Sequence, residues 1–342
     1  MSNVPTITVL TPAYNKGKTI KRTFESLLNQ TCFDFEWVLI NDGSTDNTLE
    51  VINDFQTDKF PIRFTNKQNE GLNRTYNLGV RLAEGKLIFR LDPDDYLVED
   101  AIESVIQYAQ LLDSDDQLCS VAFLTKYSNG KIVGTHPYTE PKRSNFIDYR
   151  ILDKGRGDRI EVVKREILLQ YPMPEIEGEK FCLESVMQQN IAEEYDALYI
   201  PKAIYIREYN EASITSNLVR VFSQNPEGTL LTYSQSVNIL VRKQKEGYPV
   251  RREIFKTGIN YFRFCLYSKE KMKDIFKKVP KFICFECFVP GMLLYGIDQL
   301  NPNWVYNSLF WERKTLVFLS NNIIPSQCTI FFMLRICKKV MR

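Results

Sequence analysis

The stretch "FRLDPDDYL" (89–97) places three aspartates directly after an apolar run that has the pattern of a buried strand. Like charges crowded at a strand end repel one another, so a solvated turn, a helix cap and a cation site are the alternatives. In an extended segment alternate side chains point the same way, so Asp92 and Asp94 can share one site. Oxygen ligands suit the hard cations Mg²⁺ and Mn²⁺. Asp95 is expected to cap the next helix or to support the other two.

The hundred residues around this stretch alternate between short apolar runs and helical patterns. Strands are predicted at 6–10, 36–40, 62–65 and 86–91, and helices at 18–30, after 48, through Leu78 and Leu82, and through Ile102 and Ile106. This alternation predicts an α/β fold, with a mostly parallel central sheet that is covered by helices on both faces.

Three polar clusters follow predicted strands: "TPAYN" (11–15), "NDGSTD" (41–46) and "DPDD" (92–95). In open α/β sheets, ligands bind beyond the carboxyl ends of the strands. We therefore expect all three clusters on one rim of the sheet, where together they indicate a ligand site more strongly than any one of them does.

The alternation weakens after about residue 115. The pattern predicts a hairpin at 121–134, a helix in the second half of 174–195 with Glu184 in its first turn, and a strand at 197–209. From about 215 the chain has a mainly helical, aromatic and basic pattern. The predicted divisions are a domain at 1–215, with halves 1–115 and 116–215, and a helical C-terminal region at 216–342.

Charge is spread unevenly along the chain. The whole sequence has 44 basic and 42 acidic residues, but residues 241–342 contain 19 basic against 7 acidic ones. This excess indicates an anionic partner such as a membrane surface, or simply a solvated basic face. The segment "TIFFMLRICKKVMR" (329–342) has the pattern of a basic helix lying on a membrane, and a core-packed helix is the alternative.

The sequence lacks the motifs that would indicate several other classes of protein. The N-terminus shows no signal-peptide pattern, and no apolar run is long enough to predict a membrane-spanning helix. The "GKT" at 17–19 lacks the earlier glycine of a phosphate-binding loop. With His136 as its one histidine, the chain offers little basis for a Ser/His/Asp triad. The pair Cys284 and Cys287 has no second pair for a zinc site and is expected to be reduced. Catalysis would then depend on carboxylates and a metal ion.

The order of the motifs resembles the family-2 glycosyltransferases, which have the A-type glycosyltransferase fold. The motifs are "TPAYN", "NDGSTD", "NEGL…NLG" (69–79) and "LDPDD" (91–95), and the stretch 178–215 is similar to a bacterial branch that builds capsules and surface polysaccharides. The resemblance implies inverting transfer of a sugar from a nucleotide-diphosphate donor, typically a UDP-sugar, to a glycan or lipid-linked acceptor. It implies Mn²⁺ or Mg²⁺ as cofactor, a Rossmann-like nucleotide-binding half and no nucleic-acid partner. The reduced cysteines favour a cytoplasmic protein, and the basic C-terminal region indicates peripheral contact with the inner face of the cell membrane, where a lipid-linked acceptor would lie.

The resemblance also implies a set of site residues. Those expected around the nucleotide sugar are Thr11, Pro12, Tyr14, Asp42, Gly71, Arg74, Asn77 and Asp92. Asp42 would accept a hydrogen bond from the nucleobase, Asp92 would contact the ribose or the metal shell, and Asp94 would hold the metal ion. Relatives often have a small residue where Arg74 stands, and we expect Arg74 to pair with the diphosphate rather than to face solvent.

An inverting transfer needs a base that takes the proton of the acceptor hydroxyl. By resemblance this base is Glu184, at the start of a helix in the acceptor half, and Glu177 and Glu179 are the rivals. The structural alternative for Glu184 is an acid stabilised by the helix dipole. Relatives often have proline before this acid, and the present chain has Leu183, which leaves the local loop geometry open.

Two other functions are compatible with the same motifs. A catalytically silent partner subunit would bind nucleotide or glycan without turnover, although the acids of the site are all present. A sugar nucleotidyltransferase would carry a glycine-rich basic loop after the first strand, where this chain has "TPAYNKGKT" (11–19).

Overall fold

The computed structural model describes residues 4–208 and 218–300. The chain separates into two compact units, Met1–Asn210 and Glu211–Arg342. The basic segment 329–342, for which the sequence predicts a surface helix, lies outside the described residues.

Within residues 4–208 and 218–300, the strands all belong to the first unit. They are β1 Ile7–Ala13, β2 Phe35–Asp42, β3 Ile62–Lys67, β4 Leu87–Arg90, β5 Tyr96–Leu97, β6 Leu118–Tyr127, β7 Lys142–Ser144, β8 Arg159–Lys164 and β9 Asp196–Arg207. They form one mixed sheet in the order β3-β2-β1-β4-β8-β6-β9-β5, with β7 on β9. Strands β1 to β4 are parallel, as are β6 and β9, whereas β8 runs antiparallel between β4 and β6.

Helices cover both faces of this sheet. They are α1 Ile20–Leu28, α2 Thr48–Asn53, α3 Leu72–Leu82, α4 Ala101–Asp113, α5 Phe146–Ile151, α6 Arg165–Gln170 and α7 Ser185–Ile191. Successive side chains of the buried strands point to opposite faces of the sheet, so there is a hydrophobic core on each face. Trp37 packs with Phe24 on one face, and Val38 packs with Tyr76 and Met187 on the other. The predicted α/β architecture with a mostly parallel central sheet is confirmed, and the central strands β1 and β2 are buried along their whole length between the two helical layers.

The structure differs from the sequence prediction in the acceptor half. The turn at Asn129-Gly130 exists, but it returns to β6 through an isolated bridge between Lys126 and Ile132. The extended partners of β6 are instead β8 and β9. A second difference is that α7 begins at Ser185, so Glu184 is its N-cap residue and not a member of its first turn.

The second unit is helical in its described part, as predicted. Its helices are α8 Leu218–Gln224, α9 Pro226–Lys245, α10 Arg251–Cys265, α11 Met272–Ile275 and α12 Lys281–Leu300. Gly291 lets α12 approach α10 closely, because a Cβ there would lie 2.6 Å from the Cβ of Phe262. The buried Arg263 and Asp298 join the same two helices through paired hydrogen bonds of 2.7 Å.

No helix within residues 4–208 or 218–300 is long and apolar enough to span a membrane. The two cysteines of the C-x-x-C pair are free thiols, and Cys287 is buried. Burial raises the pKa of Cys287 to about 12, which keeps its thiol protonated at neutral pH.

Candidate active site

The loops that follow β1, β2 and β4 meet at one rim of the sheet. Thr45 donates a backbone hydrogen bond of 2.8 Å to the side chain of Asn15, which joins the first loop to the second. Thr19 donates a 2.9 Å bond to the carbonyl of Pro93, and the ammonium of Lys16 pairs with the Asp94 carboxylate. The three polar clusters therefore converge as the parallel strands predict.

The paired acids of this rim each have a cationic neighbour. Asp92 accepts a 2.8 Å hydrogen bond from Nε of Arg90, and an Arg207 nitrogen lies 4.0 Å from its other oxygen. Burial raises the pKa of Asp92, but Arg90 and Arg207 outweigh burial and hold this pKa below its usual value. Asp94 binds Lys16 and is 20% exposed. Each of the two carboxylates thus has a cation beside it that offsets their mutual repulsion.

Asp95 has a different role from its two neighbours. It is buried, and one of its carboxylate oxygens accepts a 3.0 Å hydrogen bond from the backbone of Glu208. It does not cap α4, whose N-cap residue is Asp100. Burial and the nearby charge of Asp92 raise the pKa of Asp95 to about 7. Asp95 therefore binds the backbone of Glu208, directly after the end of β9, beneath the rim.

The oxygen atoms of Asp92 and Asp94 are suited to a hard divalent cation. Within the described residues, Oδ1 of Asp94 has no hydrogen-bond partner. Oδ2 of Asp92 likewise accepts no hydrogen bond there, and its ion-pair partner is the Arg207 guanidinium at 4.0 Å. The described part of the chain has no group of three or more acidic, histidine or cysteine side chains that could hold an ion. These residues fit an ion that takes its remaining ligands from substrate and water.

Glu184 lies next to this donor rim although it comes from the acceptor half. Its Oε2 accepts a 2.9 Å hydrogen bond from Arg90, so one guanidinium joins the carboxylates of Glu184 and Asp92. The Glu184 side chain is 42% exposed. Burial and the charge of Asp92 raise the pKa of Glu184, and Arg90 opposes them. A carboxylate with a raised pKa at a solvent-accessible edge is suited to accept a proton.

Asp42 organises the loop between β3 and α3. Its carboxylate accepts hydrogen bonds from Lys67 at 2.6 Å and from the backbones of Glu70 and Gly71 at 3.0 and 2.9 Å. Asn69 adds an amide bond to the other side of the same group. These donors together match the number of acceptor positions that a carboxylate has. Asp42 thus shapes this wall of the rim.

Gly71 is fixed by its backbone and by its surroundings. Its φ is +93°, where side chains are strained, and a Cβ would lie 2.1 Å from the carbonyl oxygen of Lys180. The N-terminus of α3 therefore packs directly on the loop that leads to Glu184.

A polar face of α3 holds that loop, which we call the acceptor loop (residues 173–182). Asn73 exchanges two hydrogen bonds with the backbone of Cys182, and Asn77 does the same with Met173. Arg74 donates to the carbonyls of Ile176 and Glu179 at 2.8 and 2.9 Å. Arg74 therefore binds the backbone of the acceptor loop, whereas the sequence analysis expects it to pair with the diphosphate.

The remaining predicted residues divide by exposure. Tyr14 is 46% exposed at the rim, where its ring is available to a planar ligand. Pro12 is buried within β1, and Thr11 faces the core, where its hydroxyl accepts a 2.9 Å bond from Trp37. Of the two rival bases, Glu177 is exposed and Glu179 is buried in the acceptor loop.

Sequence reasoning did not identify three charged residues of the site. Arg90 ends β4, Arg207 ends β9, and Glu161 lies in β8. All three line one cavity of about 630 Å³, counting the space open to solvent, together with Asp92 and Glu184. The Glu161 side chain forms no hydrogen bond or ion pair with any described residue, and burial and Glu184 raise its pKa to about 7. The alternation of charged and apolar residues in "RIEVVK" (159–164) was the available signal.

The architecture defines the class. Solved structures of glycosyltransferases share this fold: Staphylococcus aureus TarS 1–349 in complex with UDP-GlcNAc has a TM-score of 0.54 at 19% identity, covering 84% of this chain and 89% of that one. The mannosyltransferase PcManGT from Pyrobaculum calidifontis, in complex with GDP-Man and Mn²⁺, has a TM-score of 0.51 at 13% identity, covering 88% and 89%. The first unit therefore has the A-type glycosyltransferase fold.

Similarity in sequence identifies the glycosyltransferase family. The profile of Glycosyl transferase family 2 matches residues 8–163. An uncharacterized glycosyltransferase of Haemophilus influenzae is 30% identical over 224 residues, covering 63% of this chain and 84% of that protein. The chain belongs to glycosyltransferase family 2.

Other relatives match over very different lengths. The GalNAc(5)-diNAcBac-PP-undecaprenol beta-1,3-glucosyltransferase of Campylobacter jejuni is 25% identical over 319 residues, covering 88% of this chain and 96% of that protein. The hyaluronan synthase of Pasteurella multocida is 45% identical over 103 residues, covering 30% of this chain. The matched stretch is 11% of the length of that synthase, and 10% and 15% of two chondroitin synthases.

Proposed function

We propose that the protein is an inverting glycosyltransferase that moves a sugar from a nucleotide-diphosphate donor to a hydroxyl of a glycan or lipid-linked acceptor. One observation carries the proposal: Arg90 joins the Asp92 carboxylate of the donor rim to the Glu184 carboxylate of the acceptor half, at 2.8 and 2.9 Å. An inverting transfer needs a base near the attacking hydroxyl and, on the other side of the reacting carbon, positive charge near the leaving diphosphate, which a cation held by carboxylates supplies.

The names of relatives support the substrate class. TarS has been solved with UDP and with UDP-GlcNAc, and the Campylobacter relative is a glucosyltransferase named for an acceptor on a polyprenyl diphosphate. Hyaluronan and chondroitin synthases are among the relatives that match the N-terminal motifs. We therefore assign a UDP-sugar as donor and a role in surface polysaccharide synthesis.

On the donor side, Asp94 with Asp92 beside it would hold Mn²⁺ or Mg²⁺ against the diphosphate. Such an ion, when bound, stabilises the negative charge of a departing diphosphate. Lys16 adds a positive charge next to Asp94. Tyr14 would border the nucleobase, and the loop that Asp42 holds would form the wall behind it.

On the acceptor side, Glu184 takes the proton. As the acceptor hydroxyl oxygen bonds to the anomeric carbon, the bond to the diphosphate breaks and the hydroxyl proton passes to Oε1 of Glu184. Within the described residues this oxygen has no hydrogen-bond partner, whereas Oε2 is bound by Arg90. Glu177 is exposed in the acceptor loop and makes no such contact with the rim.

A panel of nucleotide sugars with Mn²⁺ tests the proposal, with nucleotide release and product formation as readouts. We expect turnover with a UDP-sugar, which chelation of the metal or Asp94→Asn abolishes. Glu184→Gln should bind the donor normally but lose transfer by about 10²–10⁴-fold, which is the usual contribution of a general base. Glu177→Gln is the matched control and should keep activity.

The other outcomes have definite meanings. Nucleotide binding without turnover of any donor would indicate a silent binding subunit. Full transfer by Glu184→Gln would exclude Glu184 as the base, and a loss confined to Glu177→Gln would assign that role to the rival.

A further inference from the structure

Arg90 occupies a position that the proposed reaction does not by itself explain. It is the last residue of β4, and its side chain is 18% exposed. Its Nε donates to Asp92 at 2.8 Å and one terminal nitrogen donates to Glu184 at 2.9 Å. The two acids are 92 positions apart in the sequence, so this arginine directly connects the donor motif with the acceptor half.

We propose that Arg90 is the positioning residue of the general base, which it holds against the donor site through one carboxylate oxygen so that the other faces the acceptor. This inference rests on the proposed function, because it assigns a partner to the same base. Arg90 itself touches neither substrate in this scheme.

The base has no other hydrogen-bonding support within the described residues. Glu184 is the N-cap of α7 but makes no side-chain cap hydrogen bond. A glutamate on a helix end otherwise retains several rotamers, and fixing one of them before the reaction lowers the entropy lost at the transition state. A planar guanidinium with two acids on different nitrogens provides this restraint and a fixed direction.

The charges that face Glu184 also require a cation at this place. They come from the end of β4, from the segment before β8, from β8 itself and from β9, and the residues are Arg90, Asp92, Asp158, Glu161 and Arg207. From α3 the neutral phenol of Tyr76 faces the same group. Three of the charged residues are carboxylates that oppose ionisation of Glu184. Arg90 is the cation in hydrogen-bond contact with Glu184, so its loss would leave the base protonated over a wider range of pH.

A direct titration of Glu184 tests the proposal without relying on turnover. The protein is labelled with [δ-¹³C]glutamate, the Glu184 signal is assigned by its absence in Glu184→Gln, and its titration is compared in wild type, Arg90→Met and Arg90→Lys. We expect Glu184 to titrate about one pH unit or more higher in Arg90→Met, which is the usual effect of one adjacent opposite charge. Arg90→Lys should be intermediate, because it restores charge without the planar fork.

Arg165→Met is the matched control, since Arg165 also donates two bonds, at 2.9 and 3.1 Å, but to the carbonyls of Val80 and Arg81. It should leave the Glu184 titration unchanged. In turnover, the acid limb of kcat/KM should move upward in pH for Arg90→Met with kcat reduced more than donor affinity. A Glu184 signal that titrates identically in wild type and in folded Arg90→Met would overturn the inference. Absence of transfer in the wild type would instead count against the proposed function alone.

Discussion

Lys16, Arg90 and Arg207 explain how three aspartates coexist in the segment 92–95. The pairs are Lys16 with Asp94, Arg90 with Asp92, and Arg207 with Asp95 at 3.9 Å. Each cation comes from a different strand end or loop, so the repulsion that the sequence suggests is relieved by tertiary contacts. The aspartates are consequently distinct in chemistry: the pKa of Asp92 is held below its usual value by Arg90 and Arg207, whereas the pKa of Asp95 is raised to about 7 by burial and by Asp92.

Glu161 should make the stability of the protein depend on pH. Its pKa is raised from 4.5 to about 7, so the folded state binds a proton more tightly than the unfolded state does. The stabilisation is complete below about pH 4.5 and is lost as pH rises through 7, on the order of 3 kcal/mol in all. Glu161→Gln should remove this part of the fall in unfolding free energy, measured by urea unfolding at pH 5 and pH 8.

The control for Glu161→Gln is the same substitution at a glutamate that is exposed to solvent. Glu177 is exposed, and Glu177→Gln should leave the difference between the two pH values unchanged. An equal pH dependence in wild type and Glu161→Gln would mean that the cavity keeps Glu161 hydrated and unperturbed.

At the scale of elements, local patterns were sufficient for the nucleotide-binding half. The strands from β1 to β4 and the helices between them follow from apolar runs, helical periodicity and turn residues, since each βαβ unit is local in sequence. Strand β8 could not be found in this way. It pairs with β4, about 70 residues earlier, and with β6. Two of its charged residues, Arg159 and Glu161, line a cavity, so its sequence lacks a continuous apolar run.

The site residues could be predicted from the sequence where a strand end fixes their position, and not where a contact distant in sequence does. Asp42 ends β2, Asp92 and Asp94 come directly after β4, and a strand end fixes where a side chain can be. Arg90 gave no signal, because its significance comes from Glu184, which the fold brings to it from 94 positions away. Likewise Arg74 could be placed on α3, but its direction depends on the carbonyls of the acceptor loop.

The acceptor loop should depend on α3 for its order. Asn77→Ala removes two hydrogen bonds to the backbone of buried Met173 and one to Glu175. Leaving buried backbone groups unpaired costs about 1–3 kcal/mol each. We expect lower stability, faster hydrogen exchange in residues 173–182 and reduced transfer with donor binding kept, measured by urea unfolding, exchange mass spectrometry and kinetics.

Asn129→Ala provides the reference, since Asn129 bonds only within an exposed turn, to the backbone of Lys131. It should change none of the three measurements appreciably. Unchanged exchange in the acceptor loop of Asn77→Ala would show that the loop holds its conformation without α3.

At the scale of the whole molecule, the basic excess of residues 241–342 predicts peripheral binding to anionic membranes. Each basic residue near such a surface contributes about 1 kcal/mol, and salt screens the attraction. The full chain should sediment with vesicles that contain anionic lipid at low ionic strength and be released by high salt. Neutral vesicles are the control, and failure to sediment at low salt would contradict a membrane-bound acceptor site in this region.

The contact between α3 and the acceptor loop limits which donor and acceptor halves of related enzymes can be joined in one hybrid protein. Asn73, Arg74 and Asn77 lie in the donor half, yet their hydrogen bonds end on backbone atoms of the acceptor half, and Gly71 packs against Lys180. A hybrid that takes its acceptor half from a relative would inherit a loop shaped for another helix. Acceptor preference is therefore better transplanted as a matched pair, with one face of α3 moved together with residues 173–182.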